Sequence, residues 1–175
     1  MKKIIFLNKL RRERKLQIIE PSEEIKESYF GKSESNLASS KILLDNDKLE
    51  EAITLTYYGM YNMLIALFFK IGIKCENHTA SIILLKYLFE IDNLSFEYAK
   101  KERIDKQYYT DFEIAKEEII KAIEEAEEFN NNLFDFISKI TNEDVERYRK
   151  KFDELIGKKE GGEETDSEEE KEMNY

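Results

Sequence analysis

The sequence contains few of the residues that interrupt helices. Its 175 residues include one proline, Pro21, and six glycines. Proline and glycine are the residues that most weaken helices, while the abundant glutamate, lysine, isoleucine and leucine suit helices well. We therefore predict an all-α fold, an antiparallel bundle of five to six helices.

Cysteine and histidine are equally scarce, with one residue of each, Cys75 and His78. A single cysteine cannot form an internal disulfide, and these two side chains alone cannot supply the usual ligands of a zinc site. The N-terminus also lacks the apolar run and the small-residue cleavage site of a secretory signal peptide. These absences predict a cytoplasmic location, no metal site and no cofactor.

Charge is abundant but unevenly distributed. The formal net charge is −10, yet residues 1–15 contain seven basic side chains against Glu13 alone, and residues 157–175 contain eight acidic side chains against three lysines. We predict a basic N-terminal arm at 1–20, a helical bundle at 21–156 and a disordered acidic tail at 157–175. The arm has the charge to contact phosphates, although a helical or frayed arm without a specific role fits the same composition.

The stretch from Leu49 to Gly72 is the predicted central helix. Its apolar side chains recur at intervals of three and four residues. They form two neighbouring stripes, one with Ile53, Met60, Met63 and Leu67, the other with Tyr57, Tyr61, Leu64 and Phe68. A helix that is apolar on so much of its surface is buried on several sides.

The ends and the length of this helix are also predicted from the sequence. Asp47, with Glu50 three residues later, is the predicted N-cap, and Gly72 is the predicted C-terminal glycine. The uncharged run from Ile53 to Phe69 has 17 residues, slightly fewer than the roughly 20 that cross a bilayer. We therefore predict a buried core helix and no membrane span.

Start and stop signals place the helices on either side. A helix is predicted from Pro21 and Ser22 to about Asp45, with small side chains that allow close packing against a neighbour. A polar connection at residues 73–77 leads to a helix at about 78–89, and a more polar helix follows at about 93–106.

Two capping boxes mark the helices of the C-terminal half. Thr110 and Glu113 are predicted to start a long amphipathic helix that continues to about Ile140. Thr141 and Asp144 are predicted to start a last helix that ends at Gly157.

Polar residues gather within the central helix and at the junction that follows it. Tyr57, Tyr58 and Asn62 lie on the helix, and a buried asparagine needs a hydrogen-bond partner, for which His78 or a second subunit is a candidate. The same residues also fit a structural network, because lone histidines and tyrosine pairs are commonly structural. The candidate catalytic residues are His78, Lys74 and Arg103, and the candidate substrate-binding or network residues are Tyr58, Asn62, Tyr108, Tyr109 and Asp111.

Two segments resemble a known family. They are TYYGMYNMLIALFFKIGIKCENH, residues 56–78, and RIDKQYYTDFEIAKEEIIKAIEEAEEF, residues 103–129. The first is similar to a signature of small prokaryotic HEPN proteins, a tyrosine-rich helix, a Gly-Ile turn and a histidine that starts the next helix. The second is similar to the Arg and aromatic pair that precede a long acidic helix in that family. The resemblance covers about residues 49–133.

The resemblance implies a helical bundle that dimerises, often paired with a small nucleotidyltransferase as toxin and antitoxin. Active members are metal-independent endoribonucleases in which an Arg precedes the His by four to six residues. Here Lys74 precedes His78, and Arg103 is the candidate guanidinium from another helix. Two readings stay open beside a plain helical scaffold: a nuclease that acts on RNA, or a non-catalytic module that binds a nucleotide or a nucleotidyltransferase.

Overall fold

Helices make up most of the chain in the computed structural model, which describes residues 2–92, 96–97, 99–101 and 115–157. The helices and strands are α1 Lys2–Arg12, β1 Leu16–Ile18, α2 Glu23–Asp45, α3 Leu49–Ile71, β2 Ile73–Cys75, α4 His78–Tyr87, α5 Lys116–Ser138 and α6 Asn142–Gly157. The all-α prediction is confirmed, with one small antiparallel sheet, β1 beside β2, in addition. Most of the helix predicted at 93–106 and the Thr110–Glu113 capping box lie outside the described residues.

The predicted central helix is α3, and it is the core of the bundle. Tyr57, Leu64 and Phe68 are completely buried on it. The helix is long and apolar enough to cross a membrane, but 67% of its most apolar window is buried inside the protein. It ends as predicted at Gly72, which has a φ of 80° and donates its N–H to the Phe68 carbonyl oxygen at 2.9 Å.

The predicted N-cap of α3 is wrong. Lys48, not Asp47, precedes the first residue of the helix, and its side chain makes no capping hydrogen bond. Asp47 instead has a left-handed φ of 57° and terminates α2, donating its N–H to the Leu44 carbonyl oxygen. Its carboxylate pairs with Lys116 at 2.8 Å, so this side chain joins two elements and caps neither.

Small side chains allow α2 and α3 to approach closely, as predicted. A Cβ atom added at Gly59 would lie 2.8 Å from the Leu37 side chain. On α2, Ser33 donates to the Gly59 carbonyl oxygen and Ser40 to the Ala52 carbonyl oxygen, both at 2.7 Å. The start of α2 is also as predicted, since the Ser22 side chain accepts from the Ile25 N–H. Ile25, in the first turn of this helix, is 39% exposed.

The N-terminal segment packs against the bundle. Leu7, Leu10 and Leu16 are buried in the main core. The boundary predicted after residue 20 stays a prediction, but β1 pairs with β2 so that Leu16 lies opposite Cys75. The prediction of a polar connection at 73–77 is therefore wrong, because Ile73 and Cys75 are buried on the inner face of a strand while Lys74 is exposed.

The last two helices close the bundle. On α5, Ile119, Ala126 and Leu133 are buried, which confirms the predicted apolar face. The capping box at the start of α6 is also confirmed, since Asp144 accepts from the Thr141 N–H at 3.0 Å and donates its own N–H to the Thr141 hydroxyl.

Candidate functional site

His78 is the first residue of α4, at the junction that follows the small sheet. The helix begins there because Asn77 has an extended backbone and its side-chain oxygen accepts from the Ala80 N–H at 2.9 Å. Since β2 continues almost directly from α3, the histidine is brought back to the side of α3 that carries the tyrosines. His78 itself is only partly buried.

One hydrogen bond defines the orientation of the imidazole. The Tyr57 hydroxyl lies 2.6 Å from His78 Nδ1. Tyr57 is fully buried, and its ring stacks on that of Phe96 with a centroid separation of 5.5 Å and an interplanar angle of 12°. A phenol that is fixed by the core is a rigid partner, so the imidazole is held through Nδ1 by a group that cannot move away easily.

Two further tyrosines of α3 contact the imidazole. Tyr61 stacks on His78 with a centroid separation of 3.8 Å and an interplanar angle of 10°, and Tyr58 meets it edge-on at 6.2 Å. Burial raises the pKa of Tyr61 well above its ordinary value, so this phenol stays neutral. We call these four residues, Tyr57, Tyr58, Tyr61 and His78, the His78 cluster.

The structure brings together part of the predicted site. Two of the candidates, Tyr58 and His78, lie together in the His78 cluster. Asn62, expected to be buried, is partly exposed, and its side chain makes no hydrogen bond to the described residues. The partner at His78 Nδ1 is Tyr57. Four candidates, Arg103, Tyr108, Tyr109 and Asp111, lie outside the described residues.

The predicted cation Lys74 is on the outer face of β2. Its ammonium group pairs with Glu76 at 2.6 Å, and its side chain is 45% exposed. A different lysine reaches the start of α4, since Lys100 Nζ donates to the Thr79 hydroxyl at 2.6 Å. Lys100 therefore contacts the residue that directly follows His78.

The chemistry that this arrangement offers is acid–base chemistry at one imidazole. In the part of the chain that the structure describes, no group of three or more His, Cys, Asp or Glu side chains is placed to hold a metal ion. Cys75 lies nearby, but burial raises the pKa of its thiol, so it is not an activated nucleophile. His78 is the single histidine of the chain, and histidine is the side chain that most often serves as a general acid or base.

Sequence reasoning did not assign Tyr61 or Lys100 to the site. Tyr61 has a signal, because Tyr57 and Tyr61 are four residues apart and so lie on one face of α3. Nothing in the sequence around Lys100 indicates that it contacts Thr79, since the two residues belong to separate segments.

The fold and the site together define a class: a helical bundle in which a histidine starts a helix and rests on tyrosines of the core helix. The model of the HEPN domain family matches residues 26–161. The chain therefore belongs to the HEPN domain family, as the two sequence segments predicted. Comparison with curated proteins gives no match.

Proposed function

We propose that this HEPN-domain chain is a metal-independent endoribonuclease of the toxin type, in which His78 acts as acid and base. The observation that carries the proposal is the hydrogen bond between the buried Tyr57 hydroxyl and His78 Nδ1. It holds in one orientation an imidazole that is only partly buried. A catalytic base must be positioned before its pKa matters, and this geometry supplies the positioning.

The hydrogen bond suggests which nitrogen exchanges protons with the RNA. With its proton on Nδ1, donated to the Tyr57 oxygen, the imidazole carries its lone pair on Nε2. Nε2 takes the proton of a ribose 2′ hydroxyl, the 2′ oxygen attacks the adjacent phosphorus, and the bond to the 5′ oxygen breaks. The departing 5′ oxygen takes a proton from a protonated imidazole. The products are a 2′,3′-cyclic phosphate and a 5′ hydroxyl.

A cation is needed to offset the charge that develops on the phosphate. Three residues are candidates: Lys74, Arg103 and Lys100. Of the two that the structure describes, Lys100 contacts Thr79, the neighbour of His78, while Lys74 pairs with Glu76 at the surface. We therefore assign the supporting charge first to Lys100.

A homodimer is part of this proposal, because a second copy would supply the second imidazole that protonates the leaving oxygen. Light scattering of the full chain at micromolar concentration tests it directly, and a monomer would remove the composite site. Pairing with a nucleotidyltransferase stays a prediction.

The test is incubation of purified full-length protein with labelled transfer RNA in the presence of EDTA. We expect cleavage by the wild type, products that end in a 2′,3′-cyclic phosphate, and loss of cleavage in His78→Ala. Lys74→Ala, Lys100→Ala and Arg103→Ala decide among the three candidate cations. Asn132→Ala is the control, since it changes an exposed asparagine of α5 that is not among the candidate site residues.

Two outcomes would overturn the proposal. One is cleavage that persists unchanged in His78→Ala, which would indicate a contaminating nuclease or a different centre. The other is no cleavage by a protein shown to be folded and dimeric, which would leave the non-catalytic binding module.

A further inference from the structure

Three charged residues end helices in a conformation that favours glycine. Arg14, Asp47 and Glu90 have φ values of 60°, 57° and 60°. L side chains adopt this left-handed conformation at a cost, and glycine is the usual residue where a helix ends in this way. At Arg14 the pattern is complete, because its N–H bonds to the Arg11 carbonyl oxygen and the next N–H reaches back to Leu10.

Two of these three charges have a structural partner. Asp47 pairs with Lys116 at 2.8 Å and Glu90 with Lys151 at 2.6 Å, so each joins two separate elements. The guanidinium of Arg14 makes no ion pair or hydrogen bond among the described residues. A charged side chain in an unfavourable backbone conformation, with no internal partner, is available to an external one.

The pairing of β1 with β2 brings the backbone of Arg14 close to the start of α4. Lys15 accepts a hydrogen bond from the Glu76 N–H at 2.9 Å, and the next residue, Leu16, is paired with Cys75. His78 is two residues beyond Glu76, and two residues span at most about 7 Å. The turn between α1 and β1 is therefore beside the start of α4.

The turn also carries local positive charge on an acidic protein. Arg12 and Arg14 are both exposed and have no ion pair among the described residues, whereas Arg11 pairs with Asp153 and Lys15 with Glu13. The pKa of Glu13 is lowered by its hydrogen bond to Lys15 and, further, by the charges of Lys9 and Arg12. The only carboxylate of the turn thus lies in a positive field.

We propose that Arg12 and Arg14, here called the cationic turn, bind the phosphate backbone of single-stranded RNA next to His78. This inference rests on the proposed function for its substrate. The planar guanidinium group matches phosphate geometry, and an RNA held at the turn passes beside the start of α4. Because the chain has a net charge of −10, RNA affinity must come from such a local contact, and the cationic turn supplies it.

Arg14 allows an unusually clean test. Arg14→Gly removes the charge and at the same time places the favoured residue in the left-handed conformation, so the variant should fold at least as well as the wild type. We combine it with Arg12→Gln. The matched control is Lys48→Gln with Lys121→Gln, which makes the same change in net charge. Lys48 precedes α3, at the end of that helix away from His78, and Lys121 is 76% exposed on α5.

The probe is a short, labelled, single-stranded 2′-O-methyl RNA, which cannot be cleaved through its 2′ oxygen. Fluorescence anisotropy across a salt series measures its binding to full-length protein. We expect the cationic-turn variant to bind about tenfold more weakly. The slope of log affinity against log salt should become shallower by about 1.4, or about 0.7 for each lost phosphate contact. The control variant should change affinity by less than about twofold. When Arg14→Lys replaces Arg14→Gly in the cationic-turn variant, part of the lost affinity should return.

The outcomes separate this inference from the proposed function. If the wild type does not cleave RNA but the cationic-turn variant still loses binding, the nuclease assignment falls and the RNA site stands. If the wild type cleaves and the cationic-turn variant binds like the control variant, the RNA site falls alone. Absence of any binding of the probe by the wild type would also overturn the RNA site.

Discussion

The two neighbouring faces of α3 both carry polar groups, but they use them differently. The face towards α2 meets Ser33 and Ser40, which are completely buried. Their hydroxyls donate to carbonyl oxygens of α3, and Ser40 also contacts Thr56 at 2.7 Å. Each of these bonds ends inside the protein, so this polar seam serves the close packing of two helices.

The face towards α4 has a different construction. There the bond joins two side chains, Tyr57 and His78, and both His78 and its stacking partner Tyr61 are only partly buried. In the seam, serine hydroxyls donate to backbone carbonyl oxygens. In the His78 cluster, an imidazole that can gain or lose a proton is held at the edge of the core. The bonds of the seam thus join fully buried groups, whereas the bond of the His78 cluster joins a fully buried phenol to a partly exposed imidazole.

Asn130 of α5 extends the seam and supports this interpretation. Ser33 has one proton, which it donates to the Gly59 carbonyl oxygen, so its oxygen must accept from Asn130 Nδ2 at 2.9 Å. That arrangement leaves Asn130 Oδ1 buried without a partner among the described residues. An unpaired buried oxygen costs about 1–3 kcal/mol, and the close packing of the seam offsets this cost.

The largest expected effect on stability comes from a larger side chain at Gly59, where α2 and α3 approach closely. Gly59→Val places a branched side chain where even a Cβ would lie 2.8 Å from Leu37. We expect the free energy of unfolding, measured with urea, to fall by about 3 kcal/mol because the buried leucine has little room to move. Gly31→Val on α2 is the control, since a Cβ there meets nothing within 4 Å, and it should change stability by less than about 0.5 kcal/mol. Equal losses in the two variants would show that close packing at Gly59 is unimportant.

A pair of hydroxyl deletions tests the comparison itself. Tyr57→Phe removes the partner of His78, and Ser40→Ala removes a bond of the seam. Each should lower the free energy of unfolding by about 1–2 kcal/mol, because each removes a buried hydroxyl that is hydrogen-bonded inside the protein. Cleavage of labelled RNA should fall about tenfold or more in Tyr57→Phe only, since a mispositioned base transfers protons poorly. Parallel changes in activity would mean that the two faces do not differ in role.

The sequence predicted the elements that depend on local periodicity and on end signals. The span of α3 follows from its apolar stripes and from Gly72, and the start of α2 follows from Ser22. Aspartate is a common N-cap residue, but the carboxylate of Asp47 instead accepts from a lysine 69 residues away on α5. The strand β2 has three residues, too few for a period of two to emerge, and its partner strand lies far upstream.

The site was predictable to the same degree. His78 follows from the start of α4, and the neighbouring tyrosines follow from the stripes of α3. The choice of Tyr57 over Asn62 as the partner of Nδ1 depends on how α4 packs against α3. This packing is tertiary information that no local pattern contains.

The smallest expected effect is a pH dependence of stability that arises from Tyr61, on the face of α3 towards α4. Burial raises the pKa of Tyr61 in the folded state, while an unfolded tyrosine titrates near its ordinary value of about 10. Above that pH the unfolded state has released the proton and the folded state has kept it, so the free energy of unfolding decreases as pH rises. Tyr61→Phe removes this difference in pKa, so its free energy of unfolding should decrease less steeply as pH rises. Near neutral pH, where tyrosine is protonated in both states, the difference between the two proteins should not depend on pH. Urea midpoints measured from about pH 8 to 11 give the two curves, and parallel curves would contradict the burial of this phenol against His78.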